Sequence, residues 1–132
     1  MELGKWKRRK FTPTWGGNDT EPEPAVVVFT PPNVGWMSRW RELALRAPAF
    51  DGTDEVNQEF VDGFAEWGDQ VTEYRMSLLR ELIVGVENLT LGEKQISLEE
   101  ALSFILENEG LRDEIFQAIL AQGALSPTEK KA

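Results

Sequence analysis

Proline placement constrains this chain more than any other feature. Pro13, Pro22, Pro24, Pro31 and Pro32 crowd the first 32 residues, with Gly16-Gly17-Asn18 among them. Proline fixes φ, lacks an N–H and pushes the preceding residue out of the helical region, so the stretch from Pro13 to Pro24 cannot be helical. The segments around it read as extended. Residues 25–30 (AVVVFT) are β-branched and aromatic and lie between prolines, and residues 5–12 (KWKRRKFT) resemble a second strand. The expectation is a two-stranded hairpin with a long connection, in which Glu21-Pro22-Glu23-Pro24 is extended and solvated. Such a hairpin is marginal alone and must pack on something or gain strands from another copy.

From Asn33 onward the apolar spacing turns helical. Trp36, Trp40, Leu43, Ala44 and Ala47 share a face, and Pro48 stops that helix. A second helix is expected from Thr53, which can cap it, with Asp54 and Glu55 in the first turn. Its stripe is Val56, Phe60, Phe64, Trp67, Val71, Tyr74, Leu78, Leu82 and Val86. It either runs on to about Val86 or kinks near Gly68. Ser97-Leu98-Glu99-Glu100 is a capping box opening a helix whose buried stripe is Leu98, Ala101, Leu102, Ile105 and Leu106, ended by Gly110. Ile115, Phe116, Ile119 and Leu120 mark a last helix stopped at Gly123. The predicted fold is mainly α: an N-terminal β-hairpin, then four to five helices. Residues 1–32 form a basic extended arm, 33–123 the helical domain and 124–132 a flexible tail.

Composition narrows function by exclusion. The 132 residues include no cysteine and no histidine, which removes disulfides, thiolate chemistry, Ser-His triads and most catalytic zinc sites. No apolar run is long enough to span a bilayer, and Met1 to Lys10 lacks the apolar stretch of a signal peptide. The net charge of −9 divides unevenly. Lys5, Lys7, Arg8, Arg9 and Lys10 make the N-terminal part basic, whereas the helical part is strongly acidic, so the two can attract within one chain or between copies.

Several motifs have a plain structural reading beside a functional one. Glu55, Glu59, Asp62, Glu66, Asp69 and Glu73 recur at spacings of three and four, giving one helical face. Helical di-iron sites pair Glu with His, and Asp51-Gly52-Thr53-Asp54 lacks the glycine position of a calcium loop, so a solvated face is the reading. The basic run with Trp6 and Phe11 could suggest phosphate contact and base stacking, but lysines and arginines also protect a strand edge, and the acidic body repels nucleic acid. Gly16-Gly17-Asn18 is no phosphate loop. No cofactor, metal or catalytic residue is nominated, and no nucleic acid or membrane partner is expected. Trp36, Trp40 and Trp67 supply core area, while Trp6 and Trp15 lie in the arm, where tryptophan suits interface hot spots. Trp6, Phe11, Trp15, Trp36 and Trp40 are the candidate partner-binding residues.

The order of elements resembles the tail assembly chaperones of long-tailed bacteriophages. Phe11-Thr12-Pro13, Val26-Val27-Val28-Phe29 and Pro31-Pro32 are similar to that family's opening hairpin. Leu82-Ile83-Val84-Gly85-Val86-Glu87-Asn88-Leu89, followed by Ser97 to Leu106 and Leu111 to Ala121, looks like its C-terminal region, with Val86 where the family often has an aromatic residue. The resemblance implies a non-enzymatic protein that binds and solubilises the tape-measure protein and helps tail-tube protein polymerise around it. It implies action in the cytoplasm of the infected host, absence from the mature virion, and often a longer frameshifted form. Homo-oligomerisation is possible. The alternatives are another phage morphogenesis component, such as a connector or tail completion protein, and a small acidic regulator that binds a basic host protein.

Overall fold

The computed structural model describes residues 8–48 and 58–124. Among them are β1 (Arg9–Phe11), a 3-10 helix η1 (Trp15–Thr20), β2 (Val26–Phe29), α1 (Val34–Leu45), α2 (Gln58–Leu82), β3 (Ile83–Glu87), β4 (Thr90–Leu91), β5 (Lys94–Gln95), α3 (Leu98–Glu107) and α4 (Glu109–Ala124). The domain is mostly helical, with an antiparallel sheet in the order β1-β2-β3.

The expected hairpin is present: Arg9, Lys10 and Phe11 pair with Phe29, Val28 and Val27. Its stabilising partner comes from much later in the chain. Val26, Val27, Val28 and Phe29 pair on their other side with Glu87, Val86, Gly85 and Ile83, with a bulge at Val28/Phe29. Strand pairing therefore crosses the boundary expected at residue 32. It also corrects the second helix, which runs unbroken through Gly68 but stops at Leu82 instead of reaching Val86. The physical reason is local and tertiary together. Ile83, Val84 and Val86 are β-branched, stiff in a helix and suited to a pleated surface, and β2 offers them an open ladder. The Thr30 N–H donates to the Leu82 carbonyl at 2.8 Å and seals the switch from helix to strand.

Helix ends follow their caps. Asn33 Oδ1 accepts from the Trp36 N–H at 2.9 Å, opening α1, and tight bonds from the Arg46 and Ala47 N–H groups close it three residues before Pro48. Ser97 Oγ accepts from the Glu100 N–H at 3.2 Å and meets the Glu100 carboxylate at the same distance. The predicted stop at Gly110 is replaced by one at Asn108, whose side chain donates to the Phe104 carbonyl at 2.7 Å. Gly110 lies inside α4, which runs past Gly123 to Ala124. Thr53, Val56 and the tail after 124 lie outside the described residues.

One core joins all the large elements. Val27 and Phe29 of β2, Leu78, Leu79 and Leu82 of α2, Ile105 and Leu106 of α3, and Leu111, Ile115, Phe116 and Ile119 of α4 are buried together. Each such side chain contributes about 1.5–3 kcal/mol of burial. Trp36 and Tyr74 add a polar stitch: the Tyr74 hydroxyl donates to the Trp36 carbonyl at 2.5 Å, holding α1 on α2. Burial pushes the Tyr74 phenol above its ordinary range, against the opposing charge of Arg39. Tyr74→Phe should lower the urea midpoint by the equivalent of about 1 kcal/mol without changing the slope of the transition.

Candidate interaction surface

The stretch after β1, expected to be non-helical, instead carries the 3-10 helix η1, whose short turns are joined through two glycines of non-helical backbone. Gly16 and Gly17 adopt φ of 63° and 77°, a left-handed pair that other residues rarely tolerate. Asn18 closes the loop across its base: its amide donates to the Pro13 and Ala25 carbonyls at 2.7 and 3.0 Å, and its oxygen accepts from the Ala25 N–H at 2.8 Å. Glu114 of α4 then fastens the loop to the body. Its carboxylate accepts from the Thr14 N–H and hydroxyl, both at 2.8 Å, and from the Trp15 N–H at 3.0 Å. Burial alone would raise the Glu114 pKa, but these three hydrogen bonds outweigh it and hold the carboxyl below its ordinary range.

This anchoring sets the position of Trp15. Its ring meets Phe104 of α3 edge to face, 5.8 Å between centroids. It also lies over Gly110, where an added Cβ would come within 3.3 Å of the indole. Trp15 is 40% exposed and Phe104 38%. Behind them opens an apolar cleft of about 220 Å³, whose walls include Pro13, Val27, Val86, Leu111 and Ile115, with Asn18 and Glu21 as polar lining. An adjoining depression on α3 is bounded by Ser97, Glu99, Glu100, Ser103, Glu107 and the same Phe104.

A second apolar surface lies on α2. The first buried residue of this 25-residue helix among those described is Val71. Before it, Phe60 stacks on Phe64 at 6.1 Å, and Phe64 leans on Trp67 at 5.7 Å. The Trp67 indole N–H donates to the Leu43 carbonyl at 2.9 Å, which ties the run to the end of α1. Phe64 is 50% exposed and Val61 44%. Glu59, Asp62, Glu66, Asp69 and Glu73 are exposed and share the opposite face by spacing. The acidic stripe is thus a solvated face, and its Glu55 lies outside the described residues.

The sequence-nominated residues separate by position. Trp6 lies outside the described residues. Phe11 is half-buried on the core face of the sheet, opposite Val27. Trp36 is buried, 5.5 Å from Tyr74 edge to face, with the Arg39 guanidinium 4.2 Å from its ring. Trp40 is half-buried, stacked on Tyr74 at 5.5 Å and edge-on to Phe116 at 5.2 Å. Trp15 is the one described tryptophan that is substantially exposed. Sequence reasoning missed Phe104, Glu114, Val61 and Phe64 as surface features. Phe104 was detectable, because it sits off the Leu98-Ala101-Ile105 stripe between Glu100 and Glu107.

No group of three metal-ligating side chains occurs among the described residues. No helix among them is long and apolar enough to cross a membrane. Comparison with protein-family models, with curated proteins and with solved structures gives no match.

Proposed function

We propose that this chain is a tail assembly chaperone of a long-tailed phage. It holds apolar stretches of the tape-measure protein in solution while tail-tube protein assembles, acts in the host cytoplasm and leaves before the virion is complete. The observation that carries the reading is the outer half of α2. There Val61 and Phe64 continue the core stripe of the helix beyond the domain's own core, while the far face of the same helix is carboxylate. An apolar face backed by charge lets a protein bind a hydrophobic client and keep the complex soluble. The family resemblance supports the same role.

The test is co-expression with the tape-measure protein encoded by the same phage. The wild-type chain should raise the soluble fraction of that protein and co-purify with it. Val61→Ser combined with Phe64→Ser should weaken co-purification about tenfold or more, with helical circular dichroism unchanged, because a central aromatic contact is worth about 2 kcal/mol. Equal client solubility with and without the chain would overturn the reading. The exposed carboxylates of α2 favour one second reading, an acidic regulator of a basic protein. Binding that collapses with salt and ignores the Val61 and Phe64 changes would support it instead.

A further inference from the structure

We propose that the cleft beside Trp15 and Phe104 is a docking site for a basic segment of another protein. One bulky apolar side chain enters the cleft, and lysines or arginines flanking it meet the carboxylates around Phe104. The inference stands apart from the phage-tail reading, which rests on the outer half of α2, and either can fail without the other.

The cleft selects the buried side chain. An apolar cavity of about 150 Å³ already holds a benzene ring, so a cleft of about 220 Å³ admits a phenyl group or a leucine. A polar guest gains little there. Asn18 lines the cleft, but its amide nitrogen already donates to both the Pro13 and Ala25 carbonyls. The walls are also set before a guest arrives. Glu114 holds Thr14 and Trp15 through three hydrogen bonds, and Phe104 meets the Trp15 ring edge to face. A pre-formed apolar pocket with aromatic walls is the form that an interface hot spot takes.

Charge selects what flanks it. Phe104 is shared by the cleft and the adjoining depression on α3, so one guest can cover both. Among the described residues lining the two, the charged ones are Glu21, Glu99, Glu100 and Glu107, all acidic and all exposed. Glu100 precedes Phe104 by four residues of α3 and Glu107 follows it by three. At about 1.5 Å of rise per residue they stand about 6 and 4.5 Å to either side along the helix. The Ser97 hydroxyl engages one oxygen of Glu100 and leaves its charge in place. An extended guest lying along α3 advances about 3.3 Å per residue. Cations one or two positions before and after the buried side chain therefore come level with both carboxylates. An acidic guest would meet like charge throughout, which disfavours it.

Two-dimensional NMR of the isotope-labelled full chain tests the proposal with end-capped synthetic peptides. Lys-Lys-Phe-Lys-Lys should shift the Trp15 indole and the Phe104 and Leu111 backbone amides in a saturable way. Its affinity should fall about tenfold or more when alanine replaces the central phenylalanine. Glu-Glu-Phe-Glu-Glu should not bind. Glu100→Gln combined with Glu107→Gln should weaken the basic peptide about fivefold at low salt. Both side chains are exposed and glutamine preserves the capping box, so circular dichroism should not change. An alanine peptide that binds as well as the phenylalanine peptide would overturn the proposal, as would the absence of any shift at Trp15 and Phe104. A neutral Gly-Gly-Phe-Gly-Gly peptide that binds equally well would do so too, by making the carboxylates irrelevant. If the same resonances move when the chain is concentrated without peptide, the occupant is a second copy and the proposal fails.

Discussion

Phe116→Ala is expected to cost about 3–5 kcal/mol, the range for truncating a fully buried aromatic side chain. The ring has no exposed surface and sits where three elements converge. Trp40 of α1 meets it edge-on at 5.2 Å, Tyr74 of α2 lies 6.3 Å away, and the Arg75 guanidinium stands 5.0 Å from its centroid. Arg75 also reaches Asp113 of α4 at 3.5 Å, so loss of the ring loosens an ion pair as well as the packing. Small domains have about 5–15 kcal/mol of total stability, and this single change consumes a large share. Urea denaturation followed by far-ultraviolet circular dichroism should show a midpoint shifted strongly downward or no folded baseline. A midpoint within experimental error of the wild type would mean that the helices do not converge on Phe116.

Glu114→Ala should have the second-largest effect and the clearest pH signature. Hydrogen bonds to a charged group contribute about 1.5–3 kcal/mol each when sheltered. The Glu114 carboxylate is partly open to solvent, so the expected total for three is reduced to about 1–2 kcal/mol at neutral pH. Its pKa is lower in the folded state than in the unfolded one. The stability it provides is accordingly present above the unfolded carboxylate value and is lost as pH falls through the folded one. Denaturation curves at about pH 7 and about pH 3 should therefore converge for wild type and variant at the acid end. The variant's Trp15 should also be more solvent-exposed by fluorescence quenching at neutral pH. A stability difference that persists unchanged in acid would refute the role given to the carboxylate.

Much of this fold was legible because its signals are local. Ser97 opens a capping box whose chemistry acts within three residues, and Pro48 and the Val26–Phe29 run are similarly self-contained. The errors share a cause. Ile83 to Glu87 follows a helical stripe without punctuation, and only the open ladder of β2, far away in sequence, makes it a strand. Gly110 has the composition of a helix stop but serves as the flat seat for Trp15, a contact between residues that no local pattern connects. The surface was harder to read. Aromatic content marks Trp15 and Trp36 alike, yet one is exposed and the other is spent inside the core. The role of Glu114 was invisible, since a single carboxylate in a helix looks the same whether it meets water or three donors.

The central position of β2 has a consequence for how the chain folds during synthesis. Val26 finds its partner in Glu87, about sixty residues later, so the sheet closes a large loop that includes α1 and α2. A nascent chain that has emerged only through α2 holds a two-stranded ribbon with a valine-rich open edge and no third strand to cover it. Helices can form as they emerge, but the sheet waits for Ile83–Glu87, and α3 and α4, which complete the core, arrive later still. Folding of this domain is thus paced by its last third, and until then the Val26–Phe29 edge is the part of the polypeptide most open to pairing with the wrong neighbour.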